Sequence, residues 1–166
     1  MTSKAANESA VVLTLPEKIE IRGIEEVDFE KCARLYREYA EAPYFETWAP
    51  EESLRRVVRI ANERELCFVA SCSGAIVGFI CCKTFPWHDG DRMYVADLVV
   101  RKDFQGKGIG SQLEAHAEGA ARRQGIKFMY LHSEENSPAH QFYLTRRGYR
   151  PVPYVVLEKR LDDWTP

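Results

Sequence analysis

A glycine-rich segment, Gln105-Gly106-Lys107-Gly108-Ile109-Gly110-Ser111, joins a predicted strand to a predicted helix. The strand is the apolar run at residues 93–100, and the helix has apolar residues at helical spacing after Ile109. The first amide groups of a helix lack intrahelical acceptors, and glycine lets an anion approach them closely. A further strand at residues 128–132 completes a strand-helix-strand unit, which is normally parallel and right-handed. The segment therefore predicts a parallel strand pair with an anion site beside it.

The rest of the hydrophobic pattern predicts an α+β fold, with a central mixed, mostly antiparallel sheet and helices on both of its faces. The Ser73-Gly74 dipeptide predicts the turn of an antiparallel hairpin. The predicted strands are residues 19–22, 66–72, 75–84, 93–100 and 128–132, with one or two more within 149–160, and the predicted helices are residues 29–40, 50–61, 109–124 and 138–147. We expect an N-terminal tail at residues 1–16 and a single domain at residues 17–166.

Charge and length argue against several classes of protein. The chain has 23 Lys and Arg against 25 Asp and Glu among its 166 residues. This balance disfavours binding to nucleic acid or to an anionic membrane through net positive charge. Its apolar runs are far shorter than the roughly 20 residues of a membrane-spanning helix, and the first 15 residues lack a signal-peptide pattern. The five cysteines include no CxxC pair. We expect a cytoplasmic protein with reduced thiols and no bound metal.

The glycine-rich segment is compatible with more than one kind of loop. A Walker loop requires a Lys-Ser or Lys-Thr pair after its glycines, and none follows here. A dinucleotide-binding loop has the spacing GxGxxG, whereas this chain has Ser111 where the third glycine belongs. A tight strand-to-helix turn without any ligand is the remaining alternative.

The spacing Gln105-x-x-Gly108-x-Gly110 resembles the pyrophosphate loop of the GCN5-related N-acetyltransferase (GNAT) superfamily. The resemblance extends to the preceding strand, residues 96–100, which is similar to the fourth strand of that family. Downstream, Asn136-Ser137-Pro138-Ala139 and Phe142-Tyr143 resemble its second conserved segment. The similarity is sharpest over residues 93–150, and the order of elements from residue 19 to residue 160 agrees with the family fold.

The resemblance implies an N-acetyltransferase that uses acetyl-CoA as co-substrate. In this family the sheet splays open beside the fourth strand, whose backbone binds the pantetheine arm, while the loop binds the pyrophosphate. The resemblance also implies that an asparagine after the next strand binds the cofactor and that a tyrosine lies near its sulfur. The cofactor-binding residues implied here are Leu98, Val99, Val100, Gln105, Gly106, Lys107, Gly108, Ile109, Gly110, Ser111, Asn136 and Tyr143.

Two side chains are candidates for proton transfer. The resemblance assigns Tyr143 as general acid toward the departing thiolate, and the alternative is an aromatic packing residue beside Phe142. Asp97 interrupts an otherwise apolar strand, where burial could raise its pKa, so it is the candidate base for the attacking amine. The alternative for Asp97 is a structural carboxylate that accepts hydrogen bonds. For Asn136 the alternative is the N-cap of the helix that starts at Pro138.

Acidic and aromatic residues alternate in the region expected to bind the acceptor. Residues 39–53 contain four glutamates and no lysine or arginine, and a second acid-aromatic cluster includes Trp87. The predicted substrate-binding residues are Tyr44, Glu46, Trp48 and Trp87, which suit a small cationic amine or a lysine-like or N-terminal amine. The glutamates at the start of the second helix have an alternative role as first-turn charges.

The function predicted from these residues is acetyl transfer from acetyl-CoA to a primary amine by direct attack. The alternative is a non-catalytic acyl-CoA-binding or sensor module with the same fold. A homodimer is a further expectation, by analogy with the family and through the final strands.

Overall fold

The structure is a computed structural model that describes residues 18–44, 46–159 and 161. These residues divide into two compact units, one up to Leu131 and one from His132 onward. The predicted tail at residues 1–16 lies outside the described residues. That residues 17–166 form one domain stays a prediction.

The first unit contains a five-stranded sheet whose strands lie side by side in chain order. The strands are β1 (Ile19–Gly23), β2 (Phe68–Cys72), β3 (Ala75–Phe85), β4 (Arg92–Val100) and β5 (Phe128–Tyr130). Neighbours from β1 to β4 are antiparallel, and β4 and β5 are parallel. This arrangement confirms the predicted mixed, mostly antiparallel sheet with one parallel pair.

Helices cover both faces of this sheet, as predicted. Helices α1 (Phe29–Tyr44) and α2 (Pro50–Ile60) share one apolar core with residues of β2, β3 and β4. Helix α3 (Ile109–Arg123) shares a second core with the opposite face of the same strands. Each helix is held by a stripe of apolar residues at helical spacing, which buries against the sheet.

A β-bulge interrupts β4 in the middle of its pairing with β3. Cys81 is opposite Asp97 while the next residue, Cys82, is opposite Val95, so Ala96 is an extra residue on β4. Val95 belongs to the core beneath α3, whereas Ala96 and Val99 pack on the side of α1 and α2. The bulge therefore changes the face to which the side chains of β4 point.

The parallel pair is much shorter than β4. It begins at Arg92 opposite Phe128 and ends at Tyr94 opposite Tyr130. Among the described residues, no strand pairs with residues 95–100 on the β5 side of β4. The sheet is thus open along one edge of β4 from the bulge to its end.

The second unit contains one helix, α4 (Pro138–Arg146). Residues 149–159 form no strand in the structure, so the strands predicted within residues 149–160 are wrong for this described part. Tyr154, Val155, Val156 and Leu157 are all exposed. A strand needs a partner for its backbone hydrogen bonds, and the described residues of this unit supply none.

Candidate active site

The glycine-rich loop has the backbone conformation of an anion-binding nest. Gly106 and Gly108 have φ angles of +74° and +80°, in the left-handed region that favours glycine. Gln105 N–H donates to Lys102 C=O (3.3 Å), and Gln112 N–H donates to Gly108 C=O (3.1 Å). Between these bonds, the amide N–H groups of residues 106–111 have no acceptor among the described residues. Successive amides in such a turn at a helix N-terminus form a concave site for a negative group.

Crowding does not explain the glycines of the loop. A Cβ placed on Gly106 or Gly108 would meet no atom within 4 Å, so it is the positive φ of the backbone that favours glycine at these positions. The Lys107 ammonium lies 4.7 Å from the centroid of the Phe104 ring. An open row of amides with one nearby cation fits the diphosphate of a nucleotide-derived cofactor such as CoA.

The Gln105 side chain forms a local contact with the end of β4, and its predicted contact with a cofactor stays a prediction. Its side-chain Nε2 donates to the Val100 carbonyl at 2.9 Å, which ties the loop to the end of β4. The loop therefore starts at a fixed position relative to the open edge of β4. Leu98, Val99 and Val100, the other predicted contacts, lie on that edge immediately before the loop.

Asp97 is a buried and paired carboxylate. Its side chain is 8% exposed, and it accepts hydrogen bonds from Arg56 Nε (3.1 Å) and Arg56 Nη2 (2.8 Å). Burial raises the pKa of Asp97, and the hydrogen bonds and charge of Arg56 oppose that rise. Both candidate roles, base and structural carboxylate, are compatible with this geometry.

Arg56 is a functional candidate that sequence reasoning missed. Burial alone would lower the pKa of Arg56, but its hydrogen bonds to Asp97 and the Asp97 charge raise it. The signal was available, because Arg56 lies within the stripe of buried residues Ser53, Val57 and Ile60 on α2. A cation in that stripe is the expected partner for a carboxylate on an apolar strand.

Two of the predicted acceptor residues, Glu46 and Trp48, are linked to Asp97 through Arg56. The Trp48 indole Nε1 donates to Glu46 Oε2 at 2.8 Å, and its ring meets Tyr36 edge-on at a centroid distance of 5.3 Å. The Arg56 guanidinium carbon lies 4.9 Å from the Tyr36 ring centroid and 5.7 Å from that of Trp48. We call Tyr36, Glu46, Trp48, Arg56 and Asp97 the Arg56 cluster.

The other two predicted acceptor residues are not part of that cluster as described. The Trp87 ring lies 4.8 Å from the guanidinium carbon of Arg92, which also lies 4.7 Å from the Phe128 ring. Arg92 begins β4, roughly 17 Å along the strand from Asp97 at about 3.3 Å per residue. The side chain of Tyr44 lies outside the described part of the chain.

The acidic residues of the same region divide between two roles. Glu52 Oε2 accepts a hydrogen bond from Ala49 N–H at 3.3 Å and so caps the start of α2. Glu51 also belongs to the first turn of α2, as the alternative interpretation expects. Glu46 lies before that turn. Its exposed side chain accepts a hydrogen bond from the Trp48 indole.

In the second unit, Tyr143 lies within an aromatic group. Its ring is 5.1 Å from Phe142 and 5.3 Å from Tyr149 by centroid distance. Tyr149 N–H donates to Tyr143 C=O at 3.2 Å. Tyr143 is half-buried, so the described contacts fit the packing role and leave the predicted acid role as a prediction.

Asn136 is not the N-cap of α4. Ser137 occupies that position, because its Oγ accepts a hydrogen bond from His140 N–H at 3.0 Å. Asn136 has a left-handed φ of +65° and precedes the cap. The capping alternative for Asn136 is therefore wrong, and its predicted contact with a cofactor stays a prediction.

The described residues contain neither a metal cluster nor a membrane-spanning helix. No group of three or more His, Cys, Asp or Glu side chains in the described chain could hold a metal ion. Among the same residues, no helix has the length and apolar character to span a bilayer.

The fold is that of known acetyltransferases. A solved structure of the aminoglycoside N-acetyltransferase AAC(6')-Iy in complex with CoA superposes with a TM-score of 0.72 at 15% identity, covering 90% of this chain and 99% of that one. The sequence profile of the Acetyltransferase (GNAT) family matches residues 29–149. The chain belongs to this family, as the motifs predicted.

Individual relatives agree with that assignment. Acetyltransferase YE1169 of Yersinia enterocolitica (serotype O:8 / biotype 1B) is 28% identical over 144 residues, which is 86% of this chain and 96% of that protein. N-alpha-acetyltransferase MAK3 of Arabidopsis thaliana is 34% identical over 85 residues, which is 51% of this chain. The match spans only 45% of MAK3, so less than half of that relative is represented here.

Proposed function

We propose that this protein transfers the acetyl group of acetyl-CoA to a primary amine. One observation carries the proposal: among the described residues, the amides of residues 106–111 have no protein acceptor, and the nearby end of β4 has no partner strand on its β5 side. Together these features offer one site for a diphosphate and an adjoining one for an extended arm. Family membership supports acetyl transfer as the reaction.

The residues of the glycine loop and of the open edge of β4 fit CoA. The amides of residues 106–111 and the Lys107 ammonium would hold its diphosphate, and the open edge of residues 98–100 would hold its pantetheine arm. When bound, acetyl-CoA supplies a thioester whose carbonyl carbon an amine can attack. A backbone N–H of the open edge would donate to the carbonyl oxygen as negative charge develops there. Asn136 completes the proposed cofactor contacts.

Two side chains would handle the protons. An amine with a pKa of about 10 is neutral in only about one molecule in a thousand at pH 7, so a group must accept its proton. We assign this step to Asp97, whose oxygens each accept one bond from Arg56 and retain lone pairs. Tyr143 would donate its phenolic proton to the departing sulfur.

The proposed acceptor is a small cationic amine or a lysine-like or N-terminal amine. Glu46 supports this choice, since it is exposed and held in place by the Trp48 indole beside Arg56 and Asp97. Two similar proteins are named for different acceptors: one is an aminoglycoside N-acetyltransferase and the other an N-alpha-acetyltransferase.

Replacing Glu46 tests the acceptor site. Glu46→Gln removes one negative charge and keeps the hydrogen bond to Trp48, so we expect the KM for a cationic acceptor to rise about three- to tenfold. The Kd for CoA should stay unchanged. The control is Glu51→Gln, which removes an equal charge from the start of α2. Equal KM values for Glu46→Gln and wild type would remove Glu46 from the acceptor site.

The reaction itself is tested by release of free CoA thiol. Purified protein is incubated with acetyl-CoA and a panel containing a polyamine, an aminoglycoside, lysine and a peptide with a free N-terminus. Thiol release that requires one of these amines supports the proposal. CoA binding without release for any amine would favour the non-catalytic sensor module instead.

We also propose a cytoplasmic location and a homodimer. All five cysteines are buried thiols, which supports a reducing compartment. The exposed apolar residues at positions 154–157 of the second unit support self-association, because large exposed apolar patches mark interaction surfaces.

A further inference from the structure

Asp97 is enclosed by groups from four elements. Arg56 comes from α2, Tyr36 from α1 beyond the guanidinium, Cys81 from the opposite position on β3, and Tyr94 from β4 itself. Of these groups, Arg56 alone carries a positive charge at neutral pH. Glu46, at the exposed end of the cluster, touches Trp48 and not the carboxylate.

The Arg56 side chain is fixed from two directions. Its Nε and Nη2 atoms form a fork with both oxygens of Asp97, and its flat guanidinium lies against the rings of Tyr36 and Trp48. A forked pair sets the rotation of a carboxylate as well as its position, which a single ammonium cannot do. Arg56 thus determines how the carboxylate of Asp97 is oriented.

Asp97, the carboxylate that Arg56 orients, lies on β4 at the start of the edge where the thioester would bind. Asp97 directly follows Ala96, the extra residue of the β4 bulge, and the open edge of β4 starts at the same point. The ion pair therefore joins α2, whose Arg56 contacts the proposed acceptor residue Trp48, to the part of β4 where the thioester would lie.

We propose that Arg56 is a positioning residue for the acetyl transfer, which orients the Asp97 carboxylate and keeps it ionised so that it can accept the proton of the acceptor amine. This inference rests on the proposed function. It adds a residue that neither the glycine loop nor the Tyr143 segment contains.

The sign of the pH effect follows from the surroundings of Asp97. Burial raises the pKa of this carboxyl, and Arg56 is the cation that opposes the rise. Without Arg56 the pKa of Asp97 rises further, because the adjacent opposite charge that favours the ionised form is lost. The base is then protonated at a higher pH, so the acid limb of the kcat/KM profile moves to higher pH.

The experiment compares Arg56→Ala, Arg56→Lys and the control Arg55→Ala, which removes a neighbouring arginine from the exposed face of α2. Two quantities are measured: the pH dependence of kcat/KM with the best amine of the panel, and the titration of the Asp97 carboxyl by ¹³C NMR. The Asp97 signal is assigned by its loss in Asp97→Asn. The NMR titration needs no acceptor, so it reports on Arg56 even where the assay finds no substrate.

We expect the acid limb and the Asp97 titration to move upward together in Arg56→Ala. In Arg56→Lys the titration should stay near that of wild type, because the charge is kept, while kcat falls because the fork is lost. Guanidinium ion, at concentrations far below denaturation, should restore part of the Arg56→Ala rate, and sodium chloride of equal ionic strength should not.

The proposal is overturned when the Asp97 titration in Arg56→Ala matches that of wild type, or when the titration moves and the rate limb does not. Full kcat in Arg56→Lys would also overturn it, and this variant decides the matter if Arg56→Ala does not fold. If the wild-type protein transfers no acetyl group to any amine of the panel, the proposed function is wrong. That outcome is distinct from the results that would overturn the role of Arg56.

Discussion

Tyr143→Phe is expected to lower kcat about 100-fold and to leave the KM for acetyl-CoA nearly unchanged. The size follows from the loss of general acid catalysis, which contributes roughly 10²- to 10⁴-fold. A phenol with a pKa of about 10 can stabilise a thiolate by a hydrogen bond even where full proton transfer is slightly uphill. Phenylalanine keeps the ring contacts with Phe142 and Tyr149, so the change removes the hydroxyl and little packing.

Steady-state kinetics across a pH range measure this effect, and Tyr154→Phe is the matched control. Tyr154 belongs to the same unit and is 77% exposed, so its hydroxyl is in solvent. A kcat for Tyr143→Phe within twofold of wild type would remove Tyr143 as the acid and leave it as an aromatic packing residue.

Gly108→Ala is expected to weaken CoA binding by about five- to thirtyfold. Gly108 has a φ of +80°, and a residue with a Cβ is strained in this region by roughly 1–2 kcal/mol. The new methyl group would meet nothing within 4 Å, so the effect comes from the backbone and not from a clash in the protein. The loop then adopts the conformation that holds a diphosphate less often. Calorimetric titration with CoA measures the resulting rise in Kd.

Gly119→Ala serves as the control, because it makes the same chemical change within α3. A Cβ at Gly119 would lie 3.5 Å from Arg123 Nη1, which is an ordinary contact, and its φ is not positive. Alanine inside a helix is about 0.5–1 kcal/mol more favourable than glycine, so Gly119→Ala should keep CoA affinity and slightly raise the Tm. Equal loss of affinity in both variants would show that the conformation of Gly108 is not what matters.

Local patterns were sufficient to predict most of the sheet and the loop. The Ser73-Gly74 turn, the apolar strands around it and the glycine loop are all read within short stretches of chain, where turn chemistry and side-chain periodicity act directly. The structure confirms the hairpin of β2 and β3, with left-handed φ angles at both turn residues. It also confirms the parallel pair of β4 and β5.

The features that could not be predicted depend on contacts between distant residues. The bulge at Ala96 appears only when β4 is aligned with β3, because a bulge is defined by the register between two strands. Arg56 and Asp97 are 41 residues apart, and their pairing depends on how α2 packs on the sheet. The strands expected within residues 149–160 required a partner strand, which a pattern of apolar residues cannot supply by itself.

Trp48 and Trp87 have different partners, and this difference also depends on contacts between distant residues. Both are aromatic residues next to acidic ones, and composition alone placed them together. In the structure Trp48 packs on Tyr36 and Arg56, while Trp87 packs on Arg92 at the start of β4. Composition describes a region of sequence, whereas the position of each ring depends on its element.

We propose that the amides of residues 106–111 bind the diphosphate of CoA and that the open edge of β4 binds its arm. An NMR titration of ¹⁵N-labelled protein with CoA measures both at once, through the amide shifts of each residue. We expect the largest shifts at residues 106–111 and 98–100, and we expect no comparable change with NAD at the same concentration. Unchanged amide signals at these residues with CoA at millimolar concentration would contradict it.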